Sequence, residues 1–443
     1  FNALDAAFLA LDTRDPLRTA RFWDSVPRAL EVLRDGIAAA GAPLDVDIVA
    51  VGHAHMDVAY LWQVSQMRRK NARTYTNVLR IMAANPDYRY SHDQPQLYRY
   101  TEEDYPELFA GIRERVAEGS WETMGGTWVE PDTNITGGES LVRQLLLGRT
   151  YFANRFGDLA EASGRAPGER VDTPVLWLPD TFGFTWSLPQ LMRQAGLHWF
   201  LTSKINWNQY NRLPAQTLMW QGIDGTRVLT HVLTTPKAVQ HLPFPTTYKA
   251  EVTPAEVLGT WTNYSQKHSG RDLMMVYGYG DGGGGPTQEL VRKAAVMADM
   301  PGMPRVRMGT VREFFERLET VGTSELPVWN DELYMEGHRG VLTTHGDIKR
   351  ANRRAERLLH RVELVAATAS VLADHAYPRA ALGRAWELLC LNQFHDVLPG
   401  TAITEVFVDA HRDYAEIESI GREAFAAAID ALVGSTRGVP RSV

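Results

Sequence analysis

Thiols are almost absent. Cys390 is the single cysteine of 443 residues, which excludes an intrachain disulfide and any zinc held by several thiolates. So sparse a use of cysteine points to a reducing, cytoplasmic setting. Long apolar runs are missing as well: none approaches the roughly 18 residues that span a bilayer, so no membrane contact is expected. Residues 1–11 are apolar in places but lack a basic region and a small-residue cleavage site. As the chain opens on Phe1 rather than Met, residues upstream are expected. Positive charge is not in excess either. With 46 basic against 53 acidic side chains the net charge is −7, and no summed field draws nucleic acid or an anionic surface. Gly-Lys-Ser/Thr does not occur, which rules out a phosphate-cradling P-loop.

What is present fits a globular protein of several units. Hydrophobic residues make up 44% and charged residues 22%, near ordinary averages, and the length suggests about three units, or one barrel with a smaller partner. Residues 17–40 read as amphipathic helix, closed by Gly41-Ala42-Pro43. Residues 46–52 are almost continuously apolar, the mark of a strand buried on both faces. Helices marked by Tyr75, Val78, Leu79 and Met82, then by Leu108, Ile112 and Val116, then by Leu141, Leu145 and Phe152, alternate with short strands near 88–91, 121 and 174–178. Further strands are expected at 198–202, 227–232, 273–277 and 304–308. Such alternation predicts a parallel β/α domain, and polar clusters after several strands favour a barrel over an open sheet. Beyond residue 345 the period becomes helical throughout: 358–372, 380–393 and 403–417 predict an antiparallel three-helix bundle. The expected units are an N-terminal helical segment (1–44), a barrel (45–340) and the bundle (341–443).

Four constellations carry chemistry. At the end of the first buried strand stands Gly52-His53-Ala54-His55-Met56-Asp57, in which alternate side chains of an extended backbone share a face. Two imidazoles and a carboxylate there suit Zn²⁺ or a similar divalent ion. Asp180 follows the strand at 174–178, where it is either a catalytic carboxylate or the cap of a helix. His395 and Asp396 interrupt the bundle before Pro399-Gly400; such a pair either caps helix ends or supplies a ligand from outside the barrel. The run Gly278-Tyr279-Gly280-Asp281-Gly282-Gly283 matches a dinucleotide fingerprint only weakly, since Pro286 and Thr287 delay the helix. Its glycines would equally let backbone approach a ligand while Asp281 presents a carboxyl group. Asp180 and Asp281 beside a metal suggest hydrolysis, and glycoside cleavage uses two such carboxyls.

Taken together, these segments resemble glycoside hydrolase family 38, the α-mannosidases, most closely the cytosolic and bacterial branch. The resemblance runs from about residue 45 to 415 and is carried, in the family's order, by residues 52–57, 91–98, 125–132, 137–144, 178–184, 207–212, 280–287 and 393–401. It implies a (β/α)₇ barrel, an antiparallel three-helix bundle and a further β-rich region, before which this chain stops. It also implies a retaining exo-α-mannosidase acting on terminal α-linked mannose of oligosaccharides. Position by position, the metal ligands would be His55, Asp57, Asp180 and His395, with His53 orienting them from behind. The ion would be zinc, with cobalt or calcium as alternatives. Asp180 would be the nucleophile as well as a ligand, and Asp281 the acid/base. Tyr60, Lys204, Asp396, Glu336, His338 and Arg339 are candidate sugar contacts. Tyr60 stands where many members have Trp, and Lys204 where many have Arg. Homo-oligomers are common in the family.

Two rival readings make different demands. A metal-dependent amidohydrolase or deacetylase would use further histidines at later strand ends, and only Asp180 and the bundle-borne His395 are at hand. A non-catalytic carbohydrate-binding protein would have no need of both Asp180 and Asp281.

Overall fold

A computed structural model of the chain describes residues 2–14, 19–162, 165–166, 169–237, 246–268, 270–320 and 322–437. Phe1, residues 17–18 of the expected first helix and residues 438–443 of the expected bundle unit lie outside these. The chain opens with α1 (Asn2–Ala10) and α2 (Ala20–Ala39), packed on each other. Apolar periodicity at 17–40 anticipates α2 and misses α1. That short helix leaves Leu4, Phe8 and Leu9 exposed, so it has little buried stripe for a period to mark.

Strands and helices then alternate: β1 (Leu44–Gly52), α3 (Val64–Ala84), β2 (Tyr90–His92), α4 (Pro95–Asp104), α5 (Pro106–Ala117), β3 (Trp121–Thr123), α6 (Gly138–Phe156) and β4 (Val175–Trp177). After α7 (Leu188–Gln194) come β5 (Trp199–Thr202), β6 (Thr217–Gln221), β7 (Arg227–Val232), α8 (Pro254–Asn263) and β8 (Asp272–Tyr277). The series closes with α9 (Gln288–Val296), β9 (Pro304–Met308), α10 (Val311–Thr320) and β10 (Val328–Trp329). Local chemistry sets several boundaries. Pro106 begins α5 at a position where a missing N–H costs nothing. Thr253 and Glu256 form a reciprocal capping box at α8.

The strands form two sheets. In the first, β1 pairs in parallel with β8 over Asp47–Gly52, with β9 from Leu44 to Ala50, and with β2 at Gly52; β2 in turn pairs with β3. The second has the order β10-β6-β7-β5-β4, parallel except for the β6–β7 pair. Neither β6 nor β10 is anticipated by the alternation of apolar runs. β6 is a five-residue strand paired antiparallel to β7, outside the repeating β–α pattern. A parallel bridge between Gly125 and Leu176 joins the chain after β3 to β4. Side chains of β1 divide between two cores, as its apolar run demands. Ile48 and Ala50 join Tyr75, Val78 and Leu290 of the flanking helices. Val49 and Val51 instead meet Val175 and Trp177 of β4, Leu201 of β5, Leu229 of β7, and Met274 and Val276 of β8.

Three helices follow, α11 (Gly346–Leu372), α12 (Arg379–Asn392) and α13 (Thr404–Arg437), each packed on the other two. The loop after α12 is stitched to residues 130–132 by backbone. Asp132 N–H donates to the Gln393 carbonyl at 2.9 Å, and His395 N–H to that of Glu130 at 3.1 Å. Lys349 Nζ fastens the far side of the loop, donating to the carbonyls of Leu398 and Pro399 at 3.0 and 3.1 Å. No described helix is long and apolar enough to cross a membrane.

The glycine-rich turn after β8 lies against the chain leaving β1. Gly278 sits at φ +123°, and a Cβ there would overlap the His53 carbonyl and stand 2.6 Å from Pro286. Gly282 has no such φ, and its Cβ would meet nothing nearer than Lys70 Nζ at 3.4 Å. Gly278→Ala is therefore expected to destabilise the protein by about 2–4 kcal/mol in denaturant unfolding. Gly282→Ala should stay within about 0.5 kcal/mol of the parent.

Candidate active site and metal centre

Polar residues gather where strands end. β1 stops at Gly52, and the chain runs on without strand pairing until Met56 bridges to Asp281 and Gly282. His53, first along this stretch, is fully engaged: Nδ1 lies 2.8 Å from the Ser91 carbonyl, and Nε2 accepts from Trp177 Nε1 at 3.1 Å. It ties the ends of β1, β2 and β4 together and offers no free nitrogen. Burial pushes its imidazole down to about 3, so it is neutral.

His55 and Asp57 turn the other way and meet Asp180, three residues beyond β4, and His395 from the loop after α12. One ligand atom from each of these four residues lies within 4.8 Å of all the others. His55 Nε2 is 2.9 Å from Asp57 Oδ1, and His395 Nε2 is 3.4 Å from that oxygen and 3.8 Å from Asp180 Oδ2. The rings of His55 and His395 stack at 5.5 Å. Both are oriented from behind by Glu130, whose Oε1 is 3.1 Å from His55 Nδ1 and whose carbonyl is 2.9 Å from His395 Nδ1. With each Nδ1 so occupied, each Nε2 is aimed into the cluster. His55 Nε2, His395 Nε2 and Asp57 Oδ1 are buried and find no hydrogen-bond partner outside the cluster. Buried polar atoms without partners are costly. Three converging on one point, with a second carboxylate beside them, fit a divalent cation bound by two imidazoles and two carboxylates.

The electrostatics agree with that donor set. Burial pushes the His55 imidazole down, yet the charges of Glu130 and Asp57 outweigh it and hold the ring well above its ordinary value. His395 is likewise opposed by burial, and contact with Asp57 and the charges of Asp396 and Glu130 carry it up to about 9. Asp180 resists the upward push of burial because Lys204, His55 and His395 lower it. Lys204 Nζ contacts Asp180 Oδ1 directly and sits over the rings of Phe182 and Trp207, the latter at 4.2 Å. Asp396 is driven up to about 8 by burial and by the charge of Asp57.

Asp281 faces the cluster from the glycine-rich turn. It holds a left-handed backbone, φ +59°, and its carbonyl accepts from Asp57 N–H at 2.8 Å. Its carboxylate accepts from the Tyr248 hydroxyl at 3.0 Å and from Lys249 Nζ at 2.5 Å, and its side chain is 34% exposed. Asp57, Asp180, Asp281, Tyr60, Lys204, His338 and Asp396 all line one cavity of about 250 Å³. Glu336 and Arg339 are not among its lining residues; Glu336 bonds the backbone of residues 209–211. Sequence reasoning assigned no role to Glu130, Tyr248, Lys249 or Trp207. Glu130 lies in the 125–132 segment, but its partner His55 is 75 residues away, and no local pattern announces such a contact. A wider groove, about 1160 Å³, runs between α11 and α13 and holds none of the four clustered residues.

Two measurements follow from this cluster. Zn²⁺ at a hundredfold excess over its dissociation constant should stabilise the folded protein by about 2.7 kcal/mol. A chelator should reverse the gain, and Asp57→Asn or His395→Ala should abolish it in thermal unfolding. In the metal-free protein, His395 titrates near 9 when folded and near 6.5 when unfolded. Its stabilising contribution is complete below pH 6.5 and is lost as the pH rises through 9. The metal-free melting temperature should fall over that window, and His395→Gln should flatten the slope.

Comparison with known proteins bears on the same residues. Residues 45–332 match the family model for the glycosyl hydrolases family 38 N-terminal domain, and residues 336–432 match the alpha mannosidase middle domain. Alpha-mannosidase 2C1 of Homo sapiens is 36% identical over 99% of this chain, which spans 40% of that protein. Alpha-mannosidase of Saccharomyces cerevisiae is 37% identical over 82% of the chain and 32% of its own length. The chain thus spans about 40% or less of these relatives. Among solved structures, an alpha-mannosidase from Enterococcus faecalis V583 superposes with a TM-score of 0.71 at 18% identity, over 88% of this chain and 43% of that one. With the family model covering most of the chain from β1 to β10, this protein belongs to glycosyl hydrolase family 38.

Proposed function

We propose that the chain carries the catalytic site of a retaining exo-α-mannosidase that removes terminal α-linked mannose from oligosaccharides through a covalent mannosyl-enzyme intermediate. The observation that carries this reading is the shared cavity. Two carboxyl groups in unlike environments, Asp180 and Asp281, line a space of about 250 Å³ beside the ligand cluster. So small a space is below the usual range of ligand pockets and suits one sugar ring. Family membership and the names of the relatives support the same substrate class.

The chain's own groups supply the steps. Asp180, held ionised by Lys204 and the two imidazoles, attacks the anomeric carbon. Asp281 delivers a proton to the departing oxygen, and the Tyr248 hydroxyl and Lys249 ammonium stabilise the carboxylate left behind. Asp281 then takes a proton from water as that water releases the sugar from Asp180. Tyr60, Lys204, His338 and Asp396 contact the sugar from the cavity wall, with Glu336 and Arg339 further out. His55, Asp57, Asp180 and His395 would hold zinc, or cobalt or calcium in its place. When bound, the ion supplies a Lewis-acid contact for hydroxyls of the terminal mannose.

The fold reading accompanies this one. We read the two sheets as parts of one (β/α)₇ barrel over residues 45–340, with 1–44 as a helical lead-in and 341–443 as an antiparallel three-helix bundle. The Gly125–Leu176 bridge and the interior shared by β1, β4, β5, β7 and β8 support it. The single buried thiol, Cys390, fits a reducing cytoplasm.

The test is NMR of an aryl α-mannoside with the zinc-supplemented protein, following which anomer of mannose appears first. Prompt α-mannose is expected, whereas prompt β-mannose would overturn the nucleophile assignment. Asp281→Ala should lower kcat by about 10²–10⁴-fold, and Asp180→Ala should abolish release.

A further inference from the structure

Tyr210 is 88% exposed. A single aromatic side chain in solvent is ordinary, but the backbone beneath this one is unusually well fixed. The Glu336 carboxylate accepts from the N–H groups of three successive residues, Gln209, Tyr210 (2.7 Å) and Asn211 (3.1 Å), and from the Asn211 side chain at 2.8 Å. Asn208, itself 2% exposed, donates to the carbonyls of Asn211 and Tyr334 at 2.9 and 2.8 Å, and accepts from Glu336 N–H at 3.0 Å. The clamp departs from Trp207 and returns to His338, both of which line the cavity.

A surface loop needs no such network merely to reach the next element, and the bonds add nothing to the burial of Tyr210. They fix the backbone that carries its ring, three residues after Trp207 of the wall of a cavity with room for one sugar. A tyrosine on so ordered a backbone offers a broad contact face and has only its two side-chain torsions left to fix. The face of a pyranose ring, with its row of C–H groups, is a suitable partner.

We propose that Tyr210 is a second sugar-binding platform, on which the sugar bearing the terminal mannose stacks, and that Glu336 is the residue positioning it. The inference rests on the mannosidase reading of the cavity. It makes the preferred ligand a mannose with a further sugar attached rather than a simple mannoside.

Calorimetric titration of the zinc-supplemented protein tests it with methyl α-mannoside and with α1,2-, α1,3- and α1,6-linked thiomannobioses, whose sulfur bridge resists cleavage. The parent should bind at least one disaccharide about tenfold more tightly than the methyl mannoside. Tyr210→Ala should bring that ratio to about twofold or less with the methyl mannoside constant and the melting temperature unchanged, and Tyr210→Phe should keep it. Glu336→Ala, which frees the loop, should weaken disaccharide binding in the same way. A parent without disaccharide preference, or a Tyr210→Ala variant that retains it, would overturn the platform while leaving the mannosidase reading intact. Failure of the parent to bind either kind of ligand would instead sink the mannosidase reading, and the platform with it.

Discussion

Too many carboxylates in too little water is the constraint around which this molecule is arranged. Asp57, Asp93, Glu130 and Asp396 are all buried around the two imidazoles, and Asp180 is nearly so. Left ionised together, they would repel one another strongly in a medium of low dielectric. The protein answers with positive charge wherever it is to be had. His55 and His395 are held up toward their charged forms, Lys204 is drawn onto Asp180, and the carboxyls of Asp93 and Asp396 are pushed toward their neutral forms. Each response offsets the same excess of negative charge. A divalent cation among the Nε2 atoms and carboxylate oxygens would do so at one stroke, releasing the ring protons as it bound.

That demand explains features of the fold distant from the cluster. His395 reaches the site only because the loop after α12 is bonded to residues 130–132, and Glu130 there is the residue that orients both imidazoles. One short segment thus fixes both imidazoles of the cluster, the first and the fourth of its residues. Likewise the turn after β8 hydrogen-bonds Asp57 through its backbone while presenting Asp281 through its side chain. Asp57 and Asp281 are set relative to each other by a single 2.8 Å contact. The glycines around Asp281 let the two chains approach that closely, with Gly278 packed against the His53 carbonyl.

Much of this was legible in the sequence, for identifiable reasons. A strand buried on both faces must be apolar throughout, so β1 stood out, and β7 and β9 occupy the very residues expected of them. His55 and Asp57 were visible because they follow that strand at once. Extended alternation would have put His53 on their face, but strand pairing ends at Gly52 and the His53 ring is spent on Ser91 and Trp177. Asp180 and His395 were visible as polar interruptions, and their roles came with the family resemblance rather than from spacing. Glu130, Tyr248 and Lys249 were beyond reach. Each matters through contacts to residues at least 32 positions away, and nothing in the flanking sequence marks it.

The two carboxyl groups of the proposed mechanism show how one cavity can give like side chains unlike surroundings. Asp180 is nearly enclosed, touches Lys204 and stands among imidazoles, so its negative charge is favoured wherever it is not shared with a cation. A group in that position keeps its electron pair ready for an electrophilic carbon. Asp281 is a third exposed, sits on a turn, and meets one neutral and one charged donor. Open to solvent, it is within reach of the water that the proposed acid/base step needs. The proposed division of labour therefore follows from enclosure as much as from charge: the enclosed carboxylate is held ionised beside Lys204, and the exposed one lies within reach of water.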